Sequence, residues 1–76
     1  MNKVRRKALN ELKEQLEVLM EELESLRDEE QEAMDNMPES LQGSDRYQMM
    51  EDAVGNMDEA LSNIEEAINY IKEAAQ

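Results

Sequence analysis

The stretch DNMPESLQGSDRY, residues 35–47, decides the fold because it is the only part of the chain that does not read as a long helix. It contains the single proline of the chain and one of its two glycines. Pro38 disfavours a helical backbone at Met37 and has no N–H to donate, so a helix arriving from the N-terminal side ends here. The sequence therefore predicts two helices separated by a turn over residues 36–44.

The turn also carries signals for starting a second helix. The segment PESLQ can form one short turn, with Leu41 covering the end of the core. Gly43 is suited to a left-handed exit from that turn. Ser44 or Asp45 can cap the following helix, and the spacing of Asp45 and Gln48 fits a capping box. We expect helix 2 to run from about residue 45 to about residue 75.

The first predicted helix, about residues 3–35, carries leucines at alternating steps of three and four. This heptad spacing is typical of a coiled-coil seam. The same frame next reaches Glu30, Ala33 and Met37, so the seam weakens towards the proline. We expect the leucine seam to face the second helix. Its members are Leu9, Leu12, Leu16, Leu19, Leu23 and Leu26.

The second predicted helix carries three apolar rows, each with a seven-residue spacing. Such a stripe is wider than a two-stranded seam and can face more than one neighbour. A row of alanines lets another backbone approach closely, so we expect the leucines of helix 1 to lie over that row. The rows are Met50, Met57, Ile64 and Ile71; Ala53, Ala60, Ala67 and Ala74; and Val54, Leu61, Ile68 and Ala75.

These patterns predict an all-α protein, a single domain over residues 1–76 folded as an antiparallel, coiled-coil-like two-helix hairpin. A lone hairpin leaves one side of each stripe in water, so we expect a homodimer in which two hairpins form a four-helix bundle. The alternative is a pair of helices splayed apart across a dimer, or a domain swap through the same turn.

Composition excludes several kinds of site. Cysteine and histidine are both absent, which removes disulfides, zinc clusters, thiol nucleophiles and imidazole catalysis. The longest apolar run is Val18-Leu19-Met20, far short of the roughly 20 residues of a membrane helix. We expect no cofactor, no catalytic residue and no membrane association, and a cytoplasmic location.

Charge is distributed unevenly along the chain. Residues 1–13 hold five basic side chains and one acidic one, whereas residues 14–76 hold three basic and nineteen acidic ones, for a net charge of −12 overall. Such a surface repels nucleic acids, so we expect no direct DNA or RNA binding. The basic cluster is expected to pair with Glu65, Glu66 and Glu73 at the end of helix 2, with binding of an anion or a partner as the alternative. The cluster consists of Lys3, Arg5, Arg6 and Lys7.

The acidic run RDEEQE, Arg27–Glu32, does not predict a metal site. Consecutive carboxylates on a helix point in different directions, and the spacing and central glycine of a calcium-binding loop are missing. Di-metal carboxylate sites in helical bundles use Glu-x-x-His motifs, which this chain cannot form. We interpret the run as a solvated face.

Several apolar residues map to the turn end of the hairpin and form a candidate partner-binding tip. Methionine adapts to irregular surfaces, so an exposed methionine-rich tip is a plausible place for another protein to bind. The alternative is that these residues cap the core or join a dimer interface. The candidate tip consists of Met34, Met37, Leu41, Tyr47 and Met50.

Residues 26–71 resemble a family of short uncharacterised acidic helical proteins of bacteria, prophages and phages. The resemblance is carried by RDEEQ at 27–31, by the break DNMPESLQGS at 35–44, and by the repeats at 59–61 and 66–68. It implies a helical fold and, if the origin is a phage, action inside a bacterial host cell, with inhibition of a host defence as one such role. It implies no activity.

The leading functional hypothesis is a non-enzymatic interaction module that binds or modulates a partner protein. One alternative is a nucleic-acid mimic whose carboxylates occupy a DNA-binding protein. Another is an oligomeric sponge that holds an anionic nucleotide between basic N-termini. The simplest alternative is a structural bundle that binds only itself.

Overall fold

The computed structural model describes all 76 residues as two long helices joined by a short turn. Helix α1 spans Lys3–Asp35 and helix α2 spans Asp45–Ala74, with a 3₁₀ turn at Glu39–Leu41 between them. The helices pack side by side in a rod whose Cα atoms extend over 59 × 14 × 12 Å. This confirms the predicted fold class, an all-α helical hairpin.

Side-chain caps fix where both helices begin. The Asn2 Oδ1 atom accepts from the backbone N–H of Arg5 at 2.8 Å. At the second helix, the Ser44 hydroxyl accepts from the N–H of Tyr47 at 3.2 Å and donates to the Leu41 carbonyl at 2.6 Å. Ser44 is thus the cap, and the capping box predicted for Asp45 and Gln48 is absent.

The turn closes without a left-handed residue. No glycine has a positive φ, so the left-handed exit predicted at Gly43 is wrong. The physical reason is the 3₁₀ turn, in which the N–H of Leu41 donates to the Pro38 carbonyl at 2.9 Å and that of Gln42 to Glu39 at 3.2 Å. A right-handed backbone then runs directly into the Ser44 cap.

The interface between the helices uses two rows on each of them. On α1 they are the inner leucine row (Leu9, Leu16 and Leu23, continued by Glu30 and Met37) and the mixed row (Arg6, Lys13, Met20, Arg27 and Met34), all of them half-buried or buried. On α2 they are the buried row (Val54, Leu61, Ile68 and Ala75) and the adjacent row (Met50, Met57, Ile64 and Ile71). The tightest packing is at Ile68, which is 4% exposed.

The predicted leucine seam is therefore only half correct. The inner leucine row faces α2, but Leu12, Leu19 and Leu26 are 51%, 54% and 57% exposed. The mixed row takes their place because its long side chains can pack their aliphatic stems against α2 and keep the polar ends in water. Arg27 also bonds to Asp58 across the interface, which its place in the mixed row allows.

The alanines of α2 do not receive the leucines of α1 within the hairpin. Ala67 and Ala74 are exposed, and Ala53 and Ala60 are half-buried. The row that packs most deeply instead contains Val54 and Ile68, because larger branched side chains remove more apolar area from water than alanine does. The prediction that leucines cover the alanine row is wrong for a single chain.

The two helices are unequal in reach. Helix α1 has 33 residues and α2 has 30, and both meet the same turn, so the first turn of α1 extends about 4.5 Å beyond the last turn of α2. We call residues 3–7, which carry the basic cluster, the N-terminal end of α1.

Candidate functional site

The exposed leucines of α1 and the alanines of α2 lie on the same side of the hairpin. Each of these leucines immediately precedes a member of the mixed row, and each alanine from Ala53 to Ala67 precedes a member of the buried row. Two antiparallel helices place such equivalent flanking rows together on one side of their interface. We call this surface the leucine side. It consists of Leu12, Leu19 and Leu26 with Ala53, Ala60, Ala67 and Ala74.

The leucine side is nearly free of charge. Along α2 its rim carries Met49, Asn56, Asn63 and Tyr70, and two of these are large exposed apolar residues, Met49 at 71% and Tyr70 at 64%. Along α1 the rim carries Gln15, with Glu22 and Glu29 nearer the turn. The chain has 20 acidic residues, so a random distribution would place more of them on a surface of this length.

The opposite side of the hairpin is acidic. The residues that follow the other two facing rows form it, and among them only Lys72 is basic. Two rows of carboxylates here run along the interface, one from each helix. We call this surface the acidic side; its carboxylates are those of Glu17, Glu24, Glu51, Asp58 and Glu65.

Arg27 is the one cation that joins the helices on the acidic side. Its Nε donates to Asp58 Oδ1 at 2.8 Å and its Nη2 to Asp58 Oδ2 at 3.4 Å, a two-point contact. The same guanidinium reaches Asp28 at 3.4 Å. The hydrogen bond to Asp58 raises the pKa of Arg27 above its ordinary value, although partial burial opposes the shift. The arginine is therefore charged at neutral pH.

The candidate partner-binding tip is mostly occupied by internal packing. Met34 is 6% exposed, and Met37, Tyr47 and Met50 are half-buried, so these four residues cap the core. Leu41 is 48% exposed and covers that end only in part. Met49 is 71% exposed; it is not part of the candidate tip and belongs to the rim of the leucine side.

The basic cluster does not pair with α2, contrary to the sequence prediction. The ion pairs of the hairpin all involve Arg27, so the basic side chains at the N-terminal end of α1 form none with α2. Arg6 donates from Nη2 to the Met1 carbonyl at 3.1 Å, while its Nε has no partner. Three members of the cluster, Lys3, Arg6 and Lys7, line a shallow, open groove together with Asn10, Glu11 and Glu14.

Leu12, Leu19 and Leu26 were predicted to face α2, but they lie outside the interface between the two helices. The sequence does carry a signal for this second surface, because α1, like α2, has three apolar or amphipathic rows and not two. A three-row stripe faces two neighbours, and a hairpin supplies only one.

Other classes of site find no support in the geometry. No group of three or more carboxylates is placed to hold a metal ion. Neither helix contains a stretch long and apolar enough to cross a membrane.

In comparisons with known proteins, no family model matches this chain, and neither the curated proteins nor the solved structures include a significant match.

Proposed function

We propose that the protein is a non-enzymatic interaction module that docks a helical surface of a protein along its leucine side. The observation that carries the proposal is the row of three leucines, each more than half exposed at seven-residue spacing. Exposed apolar residues aligned on one helix face mark protein contact surfaces, because water penalises them until a partner covers them.

The shape of the leucine side favours a helix as the docked element. Its leucines recur once in every two turns of α1, and the alanines of α2 leave a shallow channel beside them. Side chains of another helix can enter such a channel in the ridges-into-grooves manner. The rim residues Asn56 and Asn63 supply amides that can bond at the border without placing a charge there.

Site-specific photo-crosslinking in the cell tests this proposal. A benzoylphenylalanine at Asn63, on the rim of the leucine side, is expected to form a covalent adduct with the docked protein. The matched control is the same residue at Glu66, which is also exposed but points away from the leucine side. Mass spectrometry of the adducts identifies the docked chain. Equal adduct yields at both positions, or none at either, would contradict the proposal.

A second candidate function, occupation of a nucleic-acid-binding protein, draws on the acidic side. Its two carboxylate rows present a line of negative charge on a rigid rod, which is the feature that basic DNA-binding grooves attract. The test is displacement of duplex DNA from a basic DNA-binding protein at increasing salt. We expect displacement that falls steeply with salt and that Glu17→Gln/Glu24→Gln weakens, whereas displacement independent of salt rejects this function.

A further inference from the structure

We propose that a second copy of this chain occupies the leucine side, with α1 of each copy lying on α2 of the other and both turns at the same end of a four-helix bundle. This inference rests on the proposed function, because it names the protein that docks there. It also fixes the direction in which the second hairpin lies.

The exposed area of the chain matches what a dimer interface needs. The hairpin exposes 5824 Å², whereas a compact monomer of its mass exposes about 4,800 Å². The excess, about 1,000 Å², is close to the roughly 800 Å² that each partner contributes to a stable interface. Only four residues are buried within one chain, so most of the apolar stripe of each helix is still available.

The leucine side is complementary to itself. The contact between Arg27 and Asp58 places Leu26 within about one turn of Ala60, and Leu19 within about one turn of Ala67, along the rod. A twofold axis along the rod therefore lays the leucine row of one copy over the alanine row of the other. Large residues then meet small ones at the three layers that contain a leucine, and neighbouring helices stand at similar distances.

The other twofold arrangement fits less well. With the axis across the rod, α1 packs on α1 and α2 on α2. Leucines then meet leucines on one flank and alanines meet alanines on the other, which holds the two helix pairs at unequal spacing. The pairing of large with small side chains is lost.

Charge along the rims agrees with the first arrangement. When α1 lies on the α2 of the partner, the rim carrying Glu22 and Glu29 meets the α2 rim, whose members Met49, Asn56, Asn63 and Tyr70 are all uncharged. Like charges are therefore not forced together at the border. Both acidic sides point outward, where water and salt screen them.

The distance between the two turns tests the arrangement directly. The chain has no cysteine, so Ser40→Cys places a single nitroxide label on each turn without further changes. Double electron–electron resonance is expected to give a separation of about 15–30 Å when both turns share one end. A separation near the 59 Å length of the rod overturns the arrangement. A chain that stays monomeric in sedimentation at several hundred micromolar overturns the second copy altogether.

A residue swap tests which rows meet. Ala60→Leu overfills the alanine row and is expected to weaken dimerisation by roughly tenfold or more. Leu26→Ala removes the side chain that enters there and weakens it as well. The double variant restores the large-on-small pairing, so its Kd returns to within about threefold of the wild-type value. Additive losses in the double variant contradict the proposed contact.

The outcomes also separate this inference from the proposed function. A crosslinked adduct of Asn63 with a different protein, together with a monomer in sedimentation, rejects the second copy and leaves the docking function standing. An adduct of twice the chain mass supports both. The absence of any adduct at Asn63 rejects both.

Discussion

The two sides of the hairpin differ in almost every physical property although the same two helices build them. The leucine side carries three large aliphatic residues, each more than half exposed, and its rim on α2 is uncharged. The acidic side carries five carboxylates and is bridged by Arg27. The charged groups of the acidic side are well solvated by water, whereas the leucine side exposes apolar area to water. The comparison teaches that the fold of one chain uses only part of its apolar pattern.

The core between the two helices belongs to neither side, and a substitution there has the largest expected effect on stability. Ile68→Ala removes the most buried side chain, so we expect the free energy of unfolding to fall by about 3 kcal/mol. Urea unfolding followed by circular dichroism measures the change. Ile64→Ala, at a half-buried position of the adjacent row, is the matched control and is expected to lower the free energy of unfolding by less at low protein concentration. Equal, small losses at both positions would show that the helices are not packed as described.

Two neighbouring residues of equal exposure separate the leucine side from the rest of the surface. Leu19 is 54% exposed and Val18 is 55% exposed, but only Leu19 belongs to the leucine side. Leu19→Gln is expected to destabilise the dimer by about 2 kcal/mol, roughly 30-fold in Kd, because two half-exposed leucines lose their cover. Val18→Gln should leave Kd unchanged. Sedimentation equilibrium of both variants gives the numbers, and a similar loss in both would remove the distinction between the two surfaces.

A smaller effect is expected at the glycine of α2, away from the leucine side. A Cβ added at Gly55 meets no heavy atom within 4 Å, so alanine fits there without strain. Gly55→Ala is expected to raise the free energy of unfolding by about 1 kcal/mol, because alanine restricts the unfolded chain and favours the helix. Thermal unfolding measures this gain. The dimer Kd should not change, and a change in it would place an interface on this face as well.

The smallest effect is expected on the acidic side, at the bond between Arg27 and Asp58. Both side chains are accessible to water, so salt screens their attraction, and the loss in Arg27→Gln should shrink as salt rises. Because the bond to Asp58 raises the pKa of Arg27, its contribution is present around neutral pH and falls as pH rises through that raised pKa. No loss through Arg27 is therefore expected around neutral pH. A double-mutant cycle with Asp58→Asn isolates the pair, and a coupling that salt does not reduce would contradict an exposed contact.

The hairpin was predictable because local rules and long patterns agree. Pro38 ends one helix, Ser44 caps the next, and heptad spacing marks both segments as packed helices. What the periodicity could not give was the rotation of α1. The inner leucine row can form the interface together with the row on either side of it. Which of the two rows faces α2 depends on contacts between residues far apart in sequence, such as Arg27 and Asp58.

The candidate sites were less predictable than the fold for a related reason. Whether Met34 covers the core or is open to a partner depends on how deeply the helix ends pack, and this residue is buried. Whether Lys3 and Arg6 meet an acidic residue of α2 depends on how the two helices are aligned along the rod. Both are properties of register, which a pattern repeated every seven residues leaves open by whole heptads.

The N-terminal end of α1 has a consequence for how the chain opens. Its first turn extends beyond the last turn of α2 and is held by its own backbone hydrogen bonds and the Asn2 cap, and so short a piece of helix is marginal in water. Its positive side chains also lie at the positive pole of the helix dipole, with no acid in the first turn to offset them. These residues should therefore fray before any others. The most cationic part of an otherwise anionic rod is then also the part that unfolds most easily.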